Sequence, residues 1–391
     1  MFKLPAMATK KTVKKNYAKL ALALHKKLRG KVEVTPKVVV RNKEDLAIVY
    51  TPGVGAVSSH LATHPKEAAQ YTMKGNTVAV VSDGSAVLGL GNIGPEAALP
   101  VMEGKSILFK SLAGVDAFPI VLATQDTDEI VETVKRIAPG FGGINLEDIA
   151  APRCFEIERR LQAELDIPVM HDDQHGTAMV VLTGFINALK VVKKKKESVW
   201  VVISGAGAAG QAIAELLLLY GVENIVMLDS RGILGPNRTD LDQHKQALRS
   251  RTNPDGIDGD LSVAMAGADV FIGVSKGGLL TKEHVQTMAE DSIVFALANP
   301  VPEIMPEQAL AAGARVIATG RSDFANQINN SLGFPGIFRG ALDHKVRKIT
   351  DAMLVKAAQN LAALVAKPTA GNIIPNTFDQ RVVGAVARAI R

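Results

Sequence analysis

The apolar run Val199-Trp-Val-Val-Ile203 meets a glycine-rich turn, Gly205-Ala206-Gly207-Ala208-Ala209-Gly210. The chain then passes through a helical pattern, Gln211 to Tyr220, into a second apolar run that ends at Asp229. A strand, a tight turn, a helix and a strand in this order close as a right-handed βαβ unit with parallel strands. Gly205 permits the turn, Gly207 lets a phosphate approach the helix N-terminus, and Gly210 lets the helix lie against the strand. Glycine-rich turns are common in isolation. Here the preceding strand, the following helix and an acid 19 residues beyond Gly210 mark a dinucleotide site, with Asp229 placed to accept from ribose hydroxyls. Its charge disfavours a 2′-phosphate and so favours NAD, whereas the adjoining Ser230 and Arg231 offer that phosphate a place and leave NADP open.

Apolar segments at 269–275, 293–297 and 315–319 extend this unit into a doubly wound sheet, and helical patterns at about 350–365 and 377–390 close the chain. A second α/β region comes before it. Strands are expected at 77–82 and 117–122, the latter weakened by Pro119, then a helix capped by Asp126 and ended by Pro139. Strand 143–146, helix 152–165 and strand 167–170 follow, and a helix from Gly176 to about Val192 leads into the glycine unit. With 391 residues, 47% of them hydrophobic, the chain has core enough for about two domains. The expected α/β fold is an N-terminal catalytic domain at 1–174 plus a Rossmann-type domain with C-terminal helices at 175–391. Val13, Tyr17, Leu20, Leu24 and Leu28 share a helical face with no assigned partner in the chain, which points to a second subunit.

The net charge of +6 and the run Lys193–Lys196 raise the question of nucleic acid. That run falls between a helix end and a strand start, where the helix dipole favours cations, so no nucleic-acid partner is expected. The one cysteine, Cys154, excludes an internal disulfide and is expected to be a buried small hydrophobe. No apolar run approaches the roughly 20 residues of a membrane span, and the start of the chain lacks a secretory core, so the cytoplasm is the expected compartment.

Two pairs of acids precede the glycine turn: Glu147-Asp148 after one expected strand, Asp172-Asp173 after the next. Strand ends in an open α/β sheet are where ligands bind, and four carboxylates in one small volume repel unless a cation or proton holds them. A divalent metal beside a nicotinamide suits an oxidoreductase that polarises its substrate's oxygen while removing hydride. Oxygen ligands without a cysteine or histidine cluster select Mg²⁺ or Mn²⁺. Helix caps and salt bridges would use the same acids. His171 and His175 flank the second pair as supporting hydrogen-bonding groups. Tyr50, on a Tyr-Thr-Pro-Gly turn, and Lys105 are candidates for proton transfer, although composition alone makes Lys110 as eligible as Lys105.

Taken together, Tyr50-Thr-Pro-Gly, Leu88-Gly-Leu-Gly-Asn-Ile-Gly94, Met102-Glu-Gly-Lys105, Asn145-Leu-Glu-Asp148, His171-Asp-Asp-Gln-His-Gly-Thr177, the glycine turn, Ala298-Asn-Pro300 and Asn326-Gln-Ile-Asn-Asn330 resemble the malic enzymes, particularly the short bacterial type. The resemblance spans roughly residues 30 to 380. It implies oxidative decarboxylation of (S)-malate to pyruvate and CO₂ with NAD or NADP and Mg²⁺ or Mn²⁺. It further implies Glu147, Asp148 and Asp173 as metal ligands, Lys105 as general base, Tyr50 as general acid and Asp172 as a residue tuning the lysine. Asn299 and Asn330 match positions near the nicotinamide and the substrate carboxylate, and a homodimer is expected. A lysine acting near neutral pH needs its ordinary pKa of about 10.4 lowered by burial or by the cation. One departure stands out: longer malic enzymes carry an arginine for the substrate carboxylate just before Leu-Gly-Leu-Gly, where this chain has Ser85-Ala86. Ser85, backbone amides or Asn330 would take that role. The competing readings are a malolactic enzyme, an idle dinucleotide-binding sensor, and an amino-acid dehydrogenase, which has no use for the paired acids.

Overall fold

A computed structural model of the chain describes residues 16–391 apart from Leu88; the expected helix start at Val13 and the Leu88 of the Leu-Gly-Leu-Gly segment lie outside those residues. Two sheets organise the molecule. The first is fully parallel, in the order β2-β1-β3-β4, from β1 (Thr77–Ser82), β2 (Asp116–Val121), β3 (Gly143–Leu146) and β4 (Val169–His171). Every residue of β1 and β3 is buried, as a strand covered on both faces requires, and the apolar runs show no alternation. Pro119 sits in β2, an edge strand, where its missing N–H leaves no ladder bond unmade.

The second sheet has the order β10-β9-β8-β5-β6-β7, from β5 (Trp200–Ser204), β6 (Asn224–Asp229), β7 (Gly232–Ile233), β8 (Val270–Gly273), β9 (Ile293–Ala296) and β10 (Val316–Thr319). All pairs are parallel except β6 with β7. The chain winds one way from β5 through β6 and the other way from β8, so the switch point of this doubly wound sheet lies between β5 and β8, directly beyond which the glycine turn sits.

Three elements depart from expectation. The long helix is Asp172–Val192, starting at the acids rather than at Gly176, because two carboxylates are stabilised by the unpaired N–H groups and dipole of a first turn. By length and composition this helix could cross a bilayer, yet most of it is buried between the two sheets. The last helix is only Arg381–Ala387: Asn376 and Asp379 take the N–H groups of Phe378 and Arg381 into side-chain turns that compete with a longer helix. Helices Pro95–Ala113 and Phe334–Asp343 were not anticipated. The second of these carries Phe334 and Phe338 edge-on against Phe109 of the first, at 4.7 and 5.6 Å between ring centres. Late chain thus completes the core under the first sheet.

Candidate active site

In the helix Pro95–Ala113 the buried residues are Ala98, Met102, Lys105, Ser106 and Phe109, a single face at helical spacing. Lys105 therefore occupies a core position. Its ammonium lies 2.9 Å from Glu147 Oε1, contacts Asp172 Oδ2, and stands 4.3 Å above the Phe334 ring. Lys110 falls on the other face, exposed and paired with Asp116. Helix geometry separates two lysines that composition could not.

Glu147 extends β3 by one residue, its N–H donating to Val81 O, and its carboxylate accepts from Asn145 Nδ2 at 3.0 Å. Asp148 then turns into the left-handed region at φ 54°, ending the strand, and its N–H donates to Asp173 Oδ2 at 2.8 Å. That kink lets two adjacent acids serve one site. Asp173 comes from the first turn of Asp172–Val192, beside β3 through the pairing Leu146↔His171. Glu147, Asp148 and Asp173 bring ligand oxygens within 4.8 Å of one another, the first two buried and the third partly exposed. Gly176 is what allows Asp172 to fold back over its own helix: a Cβ there would stand 1.8 Å from Asp172 Oδ1.

The electrostatics are those of acids crowded out of water. Burial pushes Asp172 up to about 6 despite Lys105, and burial with the neighbouring carboxylates raises Glu147 well above its usual range. Burial also lowers Lys105, but Asp172, Glu147 and Asp173 outweigh it and hold the ammonium above its ordinary value. The expected lowering of this lysine by burial is thus reversed by three carboxylates. A hard dication fits this set, since three carboxylates bring ligand oxygens within 4.8 Å of one another. His171 lies alongside, fully buried, kept neutral by desolvation, its ring nitrogens making no hydrogen bond among the described residues. Behind them Glu158 accepts from His171 backbone N–H, Gln174 and the His175 ring, so His175 gives the expected supporting hydrogen bond and the His171 ring does not.

A cavity of about 430 Å³ joins this cluster to the second sheet: His171 and Asp173 line one side, Gly207 and Ala208 another, Asn299 and Asn330 a third. Gly210 must be glycine, because a Cβ would lie 1.7 Å from Gly205 O, whereas a Cβ on Gly207 would meet nothing within 4 Å. Open space above Gly207, at the start of helix Ala208–Tyr220, is where a pyrophosphate would rest. Ala206 and Ala209 complete the turn, Ala209 lining the cavity.

Two anticipated residues, Ser85 and Tyr50, stand elsewhere. The Ser85 hydroxyl donates to Asp83 and accepts from Ala150 N–H and Arg153, so all its bonding capacity holds a loop, and it is Ala86 that faces the cavity. Asn326 is also structural, bonded to Ile317, Ala370 and Ile373 backbone. Tyr50 ends the helix Lys43–Val49, 65% exposed and outside the cavity lining. Sequence reasoning overlooked the Arg153–Asp83 pair and the Phe334 ring beneath Lys105; an acid, Asp83, directly after the largely apolar run of β1 was the available signal for the first. Cys154 is buried, as expected, and its thiol is pushed up to about 12 by burial, which leaves it unreactive. Asp229, Ser230 and Arg231 lie at the far end of β6, where Gly205 N–H donates to Leu228 O.

Residues 29–162 match the malic enzyme N-terminal domain and residues 174–390 the malic enzyme NAD binding domain. The chain is 57% identical over 373 residues to a bifunctional malic/malolactic enzyme of Bacillus subtilis, covering 95% of this chain and 91% of that one. It is 56% identical to an NAD-dependent malic enzyme of Geobacillus stearothermophilus, covering 92% of this chain and 76% of the other. The crystal structure of an NAD-dependent malic enzyme from Thermotoga maritima superposes with a TM-score of 0.92 at 50% identity, over 95% of this chain and 98% of that one. With both domains matched in order and a buried lysine set among paired acids beside the glycine turn, the chain belongs to the malic enzyme family.

Proposed function

We infer that this chain catalyses divalent-metal-dependent oxidative decarboxylation of (S)-malate to pyruvate and CO₂, with reduction of NAD or NADP. One observation carries the reading: Asp173, the outermost acid of the cluster around Lys105, and the glycine turn line the same cavity. Glu147, Asp148 and Asp173 would hold Mg²⁺ or Mn²⁺, which when bound supplies Lewis-acid stabilisation of negative charge on the C2 oxygen and offsets the carboxylate field on Lys105. Lys105, with Asp172 tuning it, takes the C2 hydroxyl proton as hydride leaves C2 for the nicotinamide. Loss of CO₂ leaves an enol, and Tyr50 delivers a proton to C3, so the proton removed from oxygen is balanced by the one gained at carbon. Asn299 and Asn330 orient the nicotinamide and the substrate carboxylate. Residues 1–174 would form the malate and metal half, and 175–391 the coenzyme half with its C-terminal helices.

Tyr50 needs a second copy of the chain. Helices Tyr17–Leu28, Lys43–Val49 and Gly53–Thr63 bury no residue, while Leu22 and Ile48 stand 75% and 67% exposed, so a homodimer that covers this face would also enclose the phenol. We place this chain in the cytoplasm. The test is an initial-rate assay with malate and Mn²⁺, with products identified. Reduced coenzyme and pyruvate in equal amounts support the reading. Lactate without net NADH would identify malolactic turnover, the second activity in the name of the Bacillus subtilis relative. Dinucleotide binding with no turnover would identify a sensor.

A further inference from the structure

Glu303 is fully buried, and backbone rather than a cation meets its carboxylate: Oε1 accepts from Ser275 N–H at 3.1 Å and Oε2 from Ala298 N–H at 3.0 Å. Burial raises this acid above its usual range, and only backbone N–H groups oppose the rise. A buried acid without a counter-ion is costly, so its place calls for more than the filling of space. The two N–H groups it holds belong to different loops. Ser275 follows β8 and Ala298 follows β9, adjacent parallel strands, and both residues line the cavity beside Asn299. The last residue of β8 is Gly273, where a Cβ would lie 2.4 Å from Glu303 Cδ, so glycine makes the room that the carboxylate occupies. Beyond it, Gly278 N–H donates to Pro302 O and Leu280 N–H to Glu303 O. Segment 298–303 is thereby laced to segment 275–280 by side chain and backbone together.

The sheet says which part of a coenzyme these loops meet. A pyrophosphate at Gly207 stands at the switch point between β5 and β8; the adenosine half runs over β6, and the nicotinamide half over the ends of β8 and β9. There Asn299 lies against the end of β10, since a Cβ on Gly320 would stand 2.8 Å from its Nδ2. Glu303 itself is outside the cavity lining. We propose that Glu303 is a positioning residue for the nicotinamide: by holding Ser275 and Ala298 on its two oxygens it fixes the spacing of the β8 and β9 loops and, through Ala298, the placement of Asn299 against the ring. The proposal rests on the dinucleotide-binding part of the function inferred above and is independent of the malate chemistry.

Glu303→Gln keeps the shape but sets an NH₂ against one of the two N–H groups, and Glu303→Asp keeps the charge but falls one methylene short of spanning both. NADH and ADP-ribose, which differ by the nicotinamide ring, are titrated calorimetrically into the full chain without malate. The wild type should bind NADH more tightly. Both variants should lower the ratio of NADH to ADP-ribose affinity by about 5- to 20-fold as the ring loses a pre-organised floor, with ADP-ribose affinity staying within about twofold of wild type. A loop staple without bearing on the coenzyme would leave both affinities unchanged, and a general loosening of the domain would lower them together. Glu303→Asp decides the question if Glu303→Gln fails to fold by circular dichroism. Equal binding of the two ligands by the wild type, or an unchanged ratio in a folded variant, overturns the proposal. Wild-type malate turnover with a flat ratio defeats this inference alone, whereas a shifted ratio without wild-type turnover defeats the catalytic reading alone.

Discussion

Beyond β3 and β4, the carboxylates of Glu147, Asp148, Asp172 and Asp173 gather about the ammonium of Lys105, which pairs with Glu147 and Asp172; beyond β6, two carboxylates face three cations. Both clusters sit at carboxyl ends of parallel strands, and both present as an acid following an apolar run. Their physics is opposite. The first is buried, so Glu147 and Asp172 have raised pKa values and the crowded oxygens have a use for a dication. The second lies nearer the surface and is saturated, and Arg238 with Lys245 hold Asp229 down to about 2 against the opposing effect of burial. What an acid at a strand end does is decided by the cations that other segments deliver to it.

Metal removal is the largest test of that contrast. In excess EDTA, malate-dependent coenzyme reduction should fall on the order of 10³-fold or more, returning with Mn²⁺ or Mg²⁺. Asp173→Ala should show the same loss with weakened metal affinity. A full rate in EDTA would remove the reason for crowding four acids around one lysine.

Next in size is the division of proton transfers. Lys105→Ala should lower malate oxidation by about 10²- to 10⁴-fold, while Tyr50→Phe should retain some decarboxylation of oxaloacetate yet protonate the enol poorly. Lys110→Ala, truncating an exposed lysine, should leave the rate close to wild type. Equal losses in every partial reaction for the Lys105 and Tyr50 variants would contradict separate roles. Sedimentation of a fully active monomer at micromolar concentration would contradict the dimer that Tyr50 requires.

Much of this arrangement was legible before any coordinates. Strand β1 is legible to the residue, and so are the glycine unit and both acid pairs, because buried parallel strands and glycine turns leave local signals. Long-range partners leave none. Nothing near Asp229 in sequence indicates that Arg238 and Lys245 return to it; adjacency points only to Ser230 and Arg231. Ser85 was misjudged for a related reason: its hydroxyl is filled by Arg153, 68 residues later. The helix Pro95–Ala113, interrupted in sequence by Pro100 and Gly104, concealed that Lys105 lies on its buried face.

Acid titration of stability should separate the clusters by sign in the metal-free protein. Asp172 has a folded pKa of about 6, above its ordinary 3.8, so its contribution is fully present below about pH 4 and is lost as the pH rises through 6. Asp229 is depressed to about 2, so its contribution is present above about pH 4 and is lost as the pH falls through 2. Urea unfolding in EDTA should show Asp172→Asn gaining on the wild type between pH 4 and 6. Asp229→Asn should instead trail the wild type above pH 4 and close the gap below it. The same slope for both variants would mean that the two clusters do not differ in this way.

The smallest effect expected is that of Arg231→Ala. This arginine adjoins Asp229 in sequence and was the first candidate to receive a 2′-phosphate, yet its side chain is 71% exposed and reaches Asp240 instead. What Asp229 takes from it is the backbone N–H, which alanine keeps. An exposed pair is screened by water and salt and must hold a long side chain still, so its loss should shift Tm by less than about 2 °C. Affinity for adenosine 2′,5′-bisphosphate relative to 5′-AMP, measured calorimetrically, should change less than in Arg238→Met, because Arg238 keeps its two-pronged grip on Asp229. A larger selectivity loss in Arg231→Ala than in Arg238→Met would identify the exposed arginine as the determinant of coenzyme choice, and the cluster would have to be understood as a support for Arg231.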